Sequence, residues 1–156
     1  MGTQRETFWV RLRLNAWAWM DGLPFGETLA EGAWGERWAE RLLRARGCAI
    51  LGRNVRPCRR GELDLVARHR GVILFVEVKT RRNEAYGRPL DAVTHRKREM
   101  MRRCATHWLA QTQRLGYDVP YRFDAVEVIG RPGEGVPTMR WIRGLHMEET
   151  RAPDLF

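Results

Sequence analysis

The 156-residue sequence has few lysines and few cysteines, and both scarcities are informative. Lys79 and Lys97 are the only lysines among 28 basic residues, which suggests positions where a compact ammonium is needed. Cys48, Cys58 and Cys104 form no CxxC pair, which disfavours a zinc site or a disulfide framework and favours a cytoplasmic location. The sequence has no run of 18 apolar residues. We therefore expect no transmembrane helix and no stable membrane insertion.

The chain carries a large excess of positive charge. A formal net charge of +9 and an isoelectric point near 10.6 favour a polyanionic partner, for which DNA is our first expectation. A generally arginine-rich proteome is the alternative explanation. The length is sufficient for one domain with a substantial core.

The segment Gly61–Arg81 has the pattern of a β-hairpin, because two apolar runs flank the dipeptide Arg70-Gly71. With that dipeptide as the loop and a positive φ at the glycine, Asp64 lies opposite Glu77 on one face. The other face is then wholly apolar, with Leu63 opposite Val78, Leu65 opposite Val76, and Ala67 opposite Leu74. A slip of one residue would destroy both patterns.

The Asp64 and Glu77 carboxylates share their face with apolar residues, so we expect them to be half-buried. Two close carboxylates in a low dielectric repel each other, and a divalent cation such as Mg²⁺ or Mn²⁺ removes that conflict. The alternative is an exposed acidic pair beside a cross-strand ion pair between Glu62 and Lys79. The pattern alone favours neither interpretation.

Periodicity predicts an α/β fold with a mixed central sheet flanked by helices. The predicted helices are Thr28–Arg46 and Leu90–Leu115, and the predicted strands are Cys48–Pro57, the two strands of the hairpin, Tyr121–Ile129 and a short edge strand Met139–Ile142. Residues 27–145 form the predicted domain, preceded by a peripheral or disordered extension at 1–26 and followed by a mobile tail at 146–156. Met20 is an alternative start of the chain.

Lys97 interrupts the apolar stripe of the second predicted helix, between Val93 and Met101. A buried lysine needs a partner, and a carboxylate of the acidic pair or a bound phosphate would serve. Alternatively, the side chain reaches solvent at the edge of the stripe.

Asp64 followed by Glu77-Val78-Lys79 resembles the signature of the PD-(D/E)xK, or restriction-endonuclease-like, nucleases. A longer ordered set resembles the YraN-like family of small bacterial predicted endonucleases over roughly Trp34–Ile129. This set comprises Gly35-Glu36, Gly47, Arg53-Asn54-Val55-Arg56, Gly61-Glu62-Leu63-Asp64-Leu65-Val66, Phe75-Val76-Glu77-Val78-Lys79-Thr80-Arg81, Lys97 and Arg122-Phe123-Asp124. One departure from the superfamily is that Leu63, not proline, precedes the first acid. The resemblance implies a restriction-endonuclease-like core with the order αβββαβ, similar to that of archaeal Holliday-junction resolvases.

The resemblance implies metal-dependent hydrolysis of phosphodiester bonds in DNA, including branched or junction DNA. Asp64, Glu77 and the Val78 carbonyl are then the expected metal ligands. Lys79 would orient the attacking water or neutralise a phosphate oxygen. Glu36 would support a second metal or a metal-bound water, although a solvated glutamate near a helix start is the simpler interpretation.

Basic residues around the acidic pair are candidates for binding the nucleic-acid backbone, and solvated loops are the alternative. The candidates are Arg53, Arg56, Arg59, Arg60, Arg81, Arg82 and Lys97. For Asp124 we favour a structural ion pair with an arginine over a role in the site.

Two other functions remain open. The chain could bind nucleic acid through the same fold with little turnover, or act as an assembly protein through its tryptophan-rich N-terminal segment. A homodimer is a weak expectation, because symmetric cutting of a junction favours a two-fold dimer.

Overall fold

A computed structural model describes residues 8–9, 31–83, 93–112 and 119–147 of the chain. The helices are α1 (Glu31–Ala45) and α2 (His95–Thr112). The strands are β1 (Phe8–Trp9), β2 (Ala49–Val55), β3 (Leu63–His69), β4 (Val72–Arg81), β5 (Tyr121–Ile129) and β6 (Thr138–Ile142). Neither described helix is both long and apolar enough to cross a membrane.

The six strands form one sheet in the order β1-β6-β5-β4-β3-β2. β4 and β5 pair in parallel and the other pairs are antiparallel. The predicted mixed α/β fold is therefore confirmed, and the succession of α1, β2, β3, β4, α2 and β5 has the order of a restriction-endonuclease-like core. β6 is not the edge strand that we predicted, because β1 pairs with its outer side. β1 lies within the predicted extension 1–26, whose other residues lie outside the described part of the chain.

The hairpin of β3 and β4 has the predicted register, with ladder pairs from His69–Val72 to Leu65–Val76. Arg70 and Gly71 both have positive φ, at 50° and 83°. This conformation at both loop positions is that of a type I′ turn, whose twist matches the twist of the flanking strands. The turn therefore fixes which side chains of β3 and β4 share a face.

The core is divided between the two faces of the sheet. α1 covers one face, and its buried side chains Trp34, Trp38, Leu42 and Leu43 pack against Leu65, Ala67, Leu74, Val76, Val126 and Val128. α2 covers the other face, where Met101, Cys104 and Ala105 pack with Val66, Phe75, Phe123 and Ala125. Leu63 also belongs to this second cluster, so its predicted place on the α1 face is wrong.

α2 begins later than we predicted. Val93 and Thr94 precede the helix, and the Thr94 hydroxyl accepts a hydrogen bond from the Lys97 amide at 3.3 Å. A threonine that bonds the amide three residues on is a helix N-cap, so the helix starts at His95. The predicted helix residues 28–30, 90–92 and 113–115 lie outside the described part of the chain.

α1 approaches β4 closely at Gly35. A Cβ atom at this position would overlap the Thr80 hydroxyl, so only glycine allows this packing distance. The contact places the next residue, Glu36, near the ends of β2, β3 and β4 that carry the predicted site.

Candidate active site

The Asp64 carboxylate is fixed at the start of β3. Beyond the last ladder pair, Leu65–Val76, the Asp64 Oδ2 atom accepts a hydrogen bond of 2.8 Å from the Val78 amide. A side-chain oxygen thus accepts a hydrogen bond from a main-chain amide of the neighbouring strand. This contact holds the carboxylate beside Glu77, as the register predicts.

Glu77 is buried, with only 8% of its surface exposed. Burial, followed by the charge of Asp64, raises the pKa of Glu77 to about 7. The carboxylate pair is therefore electrostatically frustrated, because two close acids repel each other in a buried site, and a hard cation would relieve that repulsion.

Lys97 reaches the pair from α2. Its Nζ atom lies 2.8 Å from Glu77 Oε2 and 3.9 Å from Asp64 Oδ1. Burial would lower the pKa of Lys97, but the contact with Glu77 and the charge of Asp64 outweigh burial and raise it. Lys97 is half-buried, and the expectation that it has a carboxylate partner is confirmed.

The donor set fits a hard divalent cation with few protein ligands. Two carboxylates converge, and in the described structure they share one ammonium, that of Lys97. No group of three or more histidine, cysteine or acidic side chains in metal-holding positions occurs among the described residues. Mg²⁺ commonly binds one or two carboxylates and completes its octahedron with waters and substrate phosphates. The role of the Val78 carbonyl as a further ligand stays a prediction.

Glu36 approaches the pair from α1, on the opposite side of the sheet from Lys97. Its Oε2 atom accepts a 3.0 Å hydrogen bond from Asn54 on β2. Burial first, and then the charges of Asp64 and Glu62, raise the pKa of Glu36 despite this hydrogen bond. Glu36 therefore experiences the field of the pair, and its role in catalysis stays a prediction.

The sequence analysis did not assign the contact between Asn54 and Glu36. Asn54 has a φ of 48°, in the left-handed region that asparagine tolerates better than most residues. The side chain turns back from the end of β2 to hold Glu36. In the sequence, an asparagine at this position is the one local sign of a left-handed residue, and it does not indicate that the side chain binds Glu36.

Lys79 lies two residues beyond Glu77 on the same face of β4 and is exposed. It forms no ion pair with the described residues. Its lateral neighbour on β5 is Glu127. The alternative pairing of Glu62 with Lys79 is not formed, because Glu62 binds Arg56 at 2.7 Å. The Lys79 ammonium thus forms no ion pair with Asp64 or Glu77 in the described structure.

Most of the candidate backbone-binding arginines are engaged with acidic side chains. The ion pairs are Arg53 with Glu40 at 2.6 Å, Arg56 with Glu62 at 2.7 Å, Arg82 with Glu31 at 2.7 Å and Arg81 with Glu127 at 2.9 Å. Arg59 and Arg60 are exposed in the loop between β2 and β3. Contact with nucleic acid stays a prediction for all six candidate arginines and for Lys97.

Glu127 forms a second buried charge cluster that the sequence analysis missed. It lies between Arg81 at 2.9 Å and Arg140 at 3.3 Å, and is almost fully buried. The sequence contained a signal of this buried position, because strand alternation places Glu127 on the same face of β5 as the buried Phe123 and Ala125. An acid in such a position requires a buried partner.

Asp124 has the structural role that we favoured. Its two oxygens accept hydrogen bonds from Arg122 at 2.8 and 3.0 Å, from the Trp141 indole at 2.9 Å and from the Gly144 amide at 2.9 Å. This side chain is oriented toward the α1 face of the sheet, away from the Asp64–Glu77 pair.

Sequence comparisons place the chain among bacterial proteins. The model of the uncharacterised protein family UPF0102 matches residues 35–128. A UPF0102 protein of Nocardia farcinica is 48% identical over 108 residues, covering 69% of this chain and 83% of that protein. A UPF0102 protein of Beutenbergia cavernae is 45% identical over 116 residues, covering 74% of this chain and 95% of the relative. The matched region contains the acidic pair, Lys79 and Lys97.

Proposed function

The chain belongs to the uncharacterised protein family UPF0102, and we propose that it is a metal-dependent endonuclease that hydrolyses phosphodiester bonds in DNA. The family membership agrees with the YraN-like resemblance, and its name assigns no activity. The observation that supports the proposal is the buried Glu77 carboxylate, held beside Asp64 and sharing with it one half-buried ammonium, that of Lys97. This arrangement suits a site that binds a divalent cation.

Asp64 and Glu77 would hold Mg²⁺ or Mn²⁺, with the Val78 carbonyl as a further ligand. A bound divalent ion lowers the pKa of water and offsets negative charge on the phosphate. The Val78 amide keeps Asp64 Oδ2 oriented, so the pair does not reorganise when substrate arrives. Glu36, held by Asn54, would accept a hydrogen bond from a water beside the pair.

The two lysines would have different roles. In the structure, Lys97 neutralises the carboxylates at the position that suits a cation. We infer that it moves toward the phosphate when a metal takes its place. Lys79 is already exposed on the same face of β4, where it would neutralise a phosphate oxygen or orient the attacking water.

The substrate class follows from charge. The net charge of +9 favours a polyanion, and Arg59 and Arg60 are exposed beside the strand that carries Asp64. Basic residues that hold phosphates position a backbone without reading its sequence. We propose DNA as the substrate, including branched or junction DNA, and a homodimer as the form that cuts both strands of a junction symmetrically. A cytoplasmic location is part of this proposal.

A nucleic-acid-binding module with little turnover is the second candidate. It is favoured by the 2.8 Å contact between Lys97 and Glu77, because this contact compensates the carboxylate without a metal. In this function the acidic site would be a structural ion cluster, and the basic residues would carry the binding.

Cleavage of labelled duplex, flap, four-way junction, single-stranded DNA and RNA separates the two candidates. Wild type is compared with Lys79→Ala in Mg²⁺, Mn²⁺ and EDTA, and Arg103→Ala serves as an exposed basic control on α2. We expect metal-dependent cutting of a DNA substrate that falls by roughly 100-fold or more in Lys79→Ala, in the range found when a transition-state donor is removed. The control should cut normally.

Tight binding without cutting, equal in wild type and Lys79→Ala, would support the binding module. Cutting that persists in EDTA would overturn the metal-dependent mechanism. Asp64→Asn completes the set, because it should keep DNA binding and lose cleavage.

A further inference from the structure

Two of the three cysteines meet in the fold although they are 46 positions apart in sequence. The Sγ atoms of Cys58 and Cys104 lie 3.1 Å from each other, and both residues are free thiols. Cys58 belongs to the loop between β2 and β3, and Cys104 lies in the middle of α2. The two cysteines form no CxxC motif, so their proximity is visible only in the tertiary structure.

Packing holds this sulfur pair together. Cys104 is fully buried, and its Sγ atom lies 3.7 Å from the Met100 Sδ atom. A Cβ atom at Gly61 would lie 2.5 Å from the Cys104 sulfur and 2.8 Å from Met100, so the loop lies directly over the helix. The two thiols have little room to separate.

We propose that Cys58 and Cys104 form a modification site, at which a peroxide oxidises the two thiols to a disulfide within the chain. A disulfide bond is about 2.05 Å long, so the sulfurs need to approach each other by about 1 Å. Rotation of side chains in contact supplies a movement of this size. The inference is independent of whether the chain cuts DNA.

The positions of the thiols assign their roles in the reaction. Cys58 is half-buried and accessible to a small oxidant. Burial, followed by the contact with Cys58, raises the pKa of Cys104 to about 12, so Cys104 is not the first nucleophile. The Cys58 thiolate attacks one peroxide oxygen and the O–O bond breaks. The leaving hydroxide takes up a proton to form water, and Cys58 becomes a sulfenic acid.

The second step closes the disulfide. The Cys104 sulfur attacks the Cys58 sulfur, the S–O bond breaks, and the hydroxyl leaves as water with the Cys104 proton. In total the two thiols lose two protons and two electrons, and the peroxide is reduced to two molecules of water. A thiol reductant reverses the modification.

The third cysteine provides an internal control. Cys48 is buried in the cluster on the α1 face, whereas Cys58 and Cys104 belong to the cluster on the α2 face. Burial raises the pKa of Cys48 to about 11, which disfavours its thiolate. Cys48 should therefore remain a thiol when the other two are oxidised.

The disulfide would connect the loop that carries Arg59 and Arg60 to the helix that carries Lys97. It would also close a long segment of the chain. Such a cross-link stabilises the fold mainly by restricting the unfolded chain, and more so for longer loops. We expect the melting temperature to rise by roughly 5–15 °C on oxidation.

The test uses the full-length chain treated with one equivalent of hydrogen peroxide, followed by titration of free thiols in denaturant. We expect the number of free thiols to fall from three to one, with a cross-linked peptide that contains Cys58 and Cys104. Dithiothreitol should restore all three. The increase in melting temperature should appear in the oxidised protein and disappear on reduction.

Variants decide whether the pair is responsible. Cys58→Ser and Cys104→Ala should each abolish the cross-link and the thermal shift, and Cys48→Ala should keep both. Should Cys104→Ala fail to fold, Cys58→Ser tests the same bond at a half-buried position. Retention of three free thiols, a cross-link that includes Cys48, or linkage only between separate chains would overturn the proposal.

Discussion

Asp124 and Glu77 are both buried acids of the central sheet, but their surroundings are opposite. Asp124 is 0% exposed and accepts four hydrogen bonds, from Arg122, the Trp141 indole and the Gly144 amide. Glu77 is 8% exposed, lies beside a second carboxylate and shares with it the ammonium of Lys97. Asp124 is thus fully satisfied by hydrogen bonds, whereas Glu77 shares its one described counter-ion with a neighbouring acid.

The difference shows how burial should be interpreted. A buried carboxylate that is surrounded by donors contributes to folding, because its charge is compensated by groups that cannot leave. A buried carboxylate beside another acid and one movable ammonium is poorly stabilised as an anion, and it remains able to accept an external cation. Burial by itself therefore does not distinguish the two acids, whereas the number and kind of groups that compensate each carboxylate does.

Isosteric amide substitutions at the two acids give the largest predicted contrast. Asp124→Asn turns an acceptor oxygen into a donor among donors and removes the partner of Arg122, so we expect a loss of about 3–5 kcal/mol in unfolding free energy. Glu77→Gln removes a charge that repels Asp64, so above about pH 7 we expect a gain on the order of 1–3 kcal/mol in unfolding free energy, together with loss of DNA cleavage. Urea unfolding and a cleavage assay measure both effects.

The exposed Glu134, on the turn before β6, serves as the control for this comparison. Glu134→Gln should change neither stability nor cleavage. If Asp124→Asn is as stable as wild type, or if Glu77→Gln unfolds while Asp124→Asn does not, the distinction between the two acids is wrong.

Replacement of Lys97 tests whether the acidic pair is held ready for a cation. Lys97→Met leaves the carboxylates without their ammonium, and its side chain is 29% exposed, so we expect a loss of about 1–3 kcal/mol in metal-free stability. The same variant should bind Mn²⁺ roughly 5-fold or more tightly, because no ammonium competes for the oxygens. Calorimetric titration measures this affinity without any cleavage.

Arg103→Met, at an exposed position of α2, is the matched control and should leave Mn²⁺ binding unchanged. Weaker Mn²⁺ binding by Lys97→Met would show that Lys97 supports the metal site and does not substitute for the ion.

The pH dependence of stability offers a smaller and sharper test. The pKa of Glu77 is raised from 4.5 to about 7, so this carboxyl binds its proton more tightly in the folded chain than in the unfolded chain. Its contribution to stability is therefore full below about pH 4.5 and is lost as the pH rises through about 7, by on the order of 1–3 kcal/mol. The difference between wild type and Glu77→Gln isolates this contribution from other titrating groups.

Saturating Mg²⁺ should flatten this dependence, because a bound cation favours the ionised carboxylate. Urea unfolding at intervals from about pH 4 to about pH 8, with and without Mg²⁺, provides the measurement. Wild type that gains stability relative to Glu77→Gln as the pH rises, or a pH dependence that Mg²⁺ does not alter, would contradict a frustrated Glu77.

The sequence was sufficient to predict the hairpin and its acidic pair. Strand side chains alternate with a period of two, and the position of Arg70-Gly71 then fixed which acids face each other. The partner of Lys97 was also predictable, because an ammonium in an apolar helical stripe needs a nearby carboxylate. These are local rules applied over short distances along the chain.

Contacts between distant segments were not predictable in the same way. The pairing of Arg53 with Glu40 depends on how α1 lies on β2, and the meeting of Cys58 with Cys104 depends on how α2 lies under a loop. Neither arrangement leaves a periodic pattern in the sequence. The start of α2 was misplaced because Leu90 continued the apolar pattern, whereas the Thr94 cap set the boundary.

The contributions of both helices have a consequence for the order in which the chain assembles. Asp64 and Glu77 lie on the hairpin, and the ammonium that neutralises them comes from α2, which follows in the sequence. During synthesis the hairpin therefore emerges before its neutralising cation. A chain with α2 undocked exposes an uncompensated acidic pair, and one with α1 undocked loses the position of Glu36. The arrangement of Glu36, the acidic pair and Lys97 is therefore complete only after both helices have docked on the sheet.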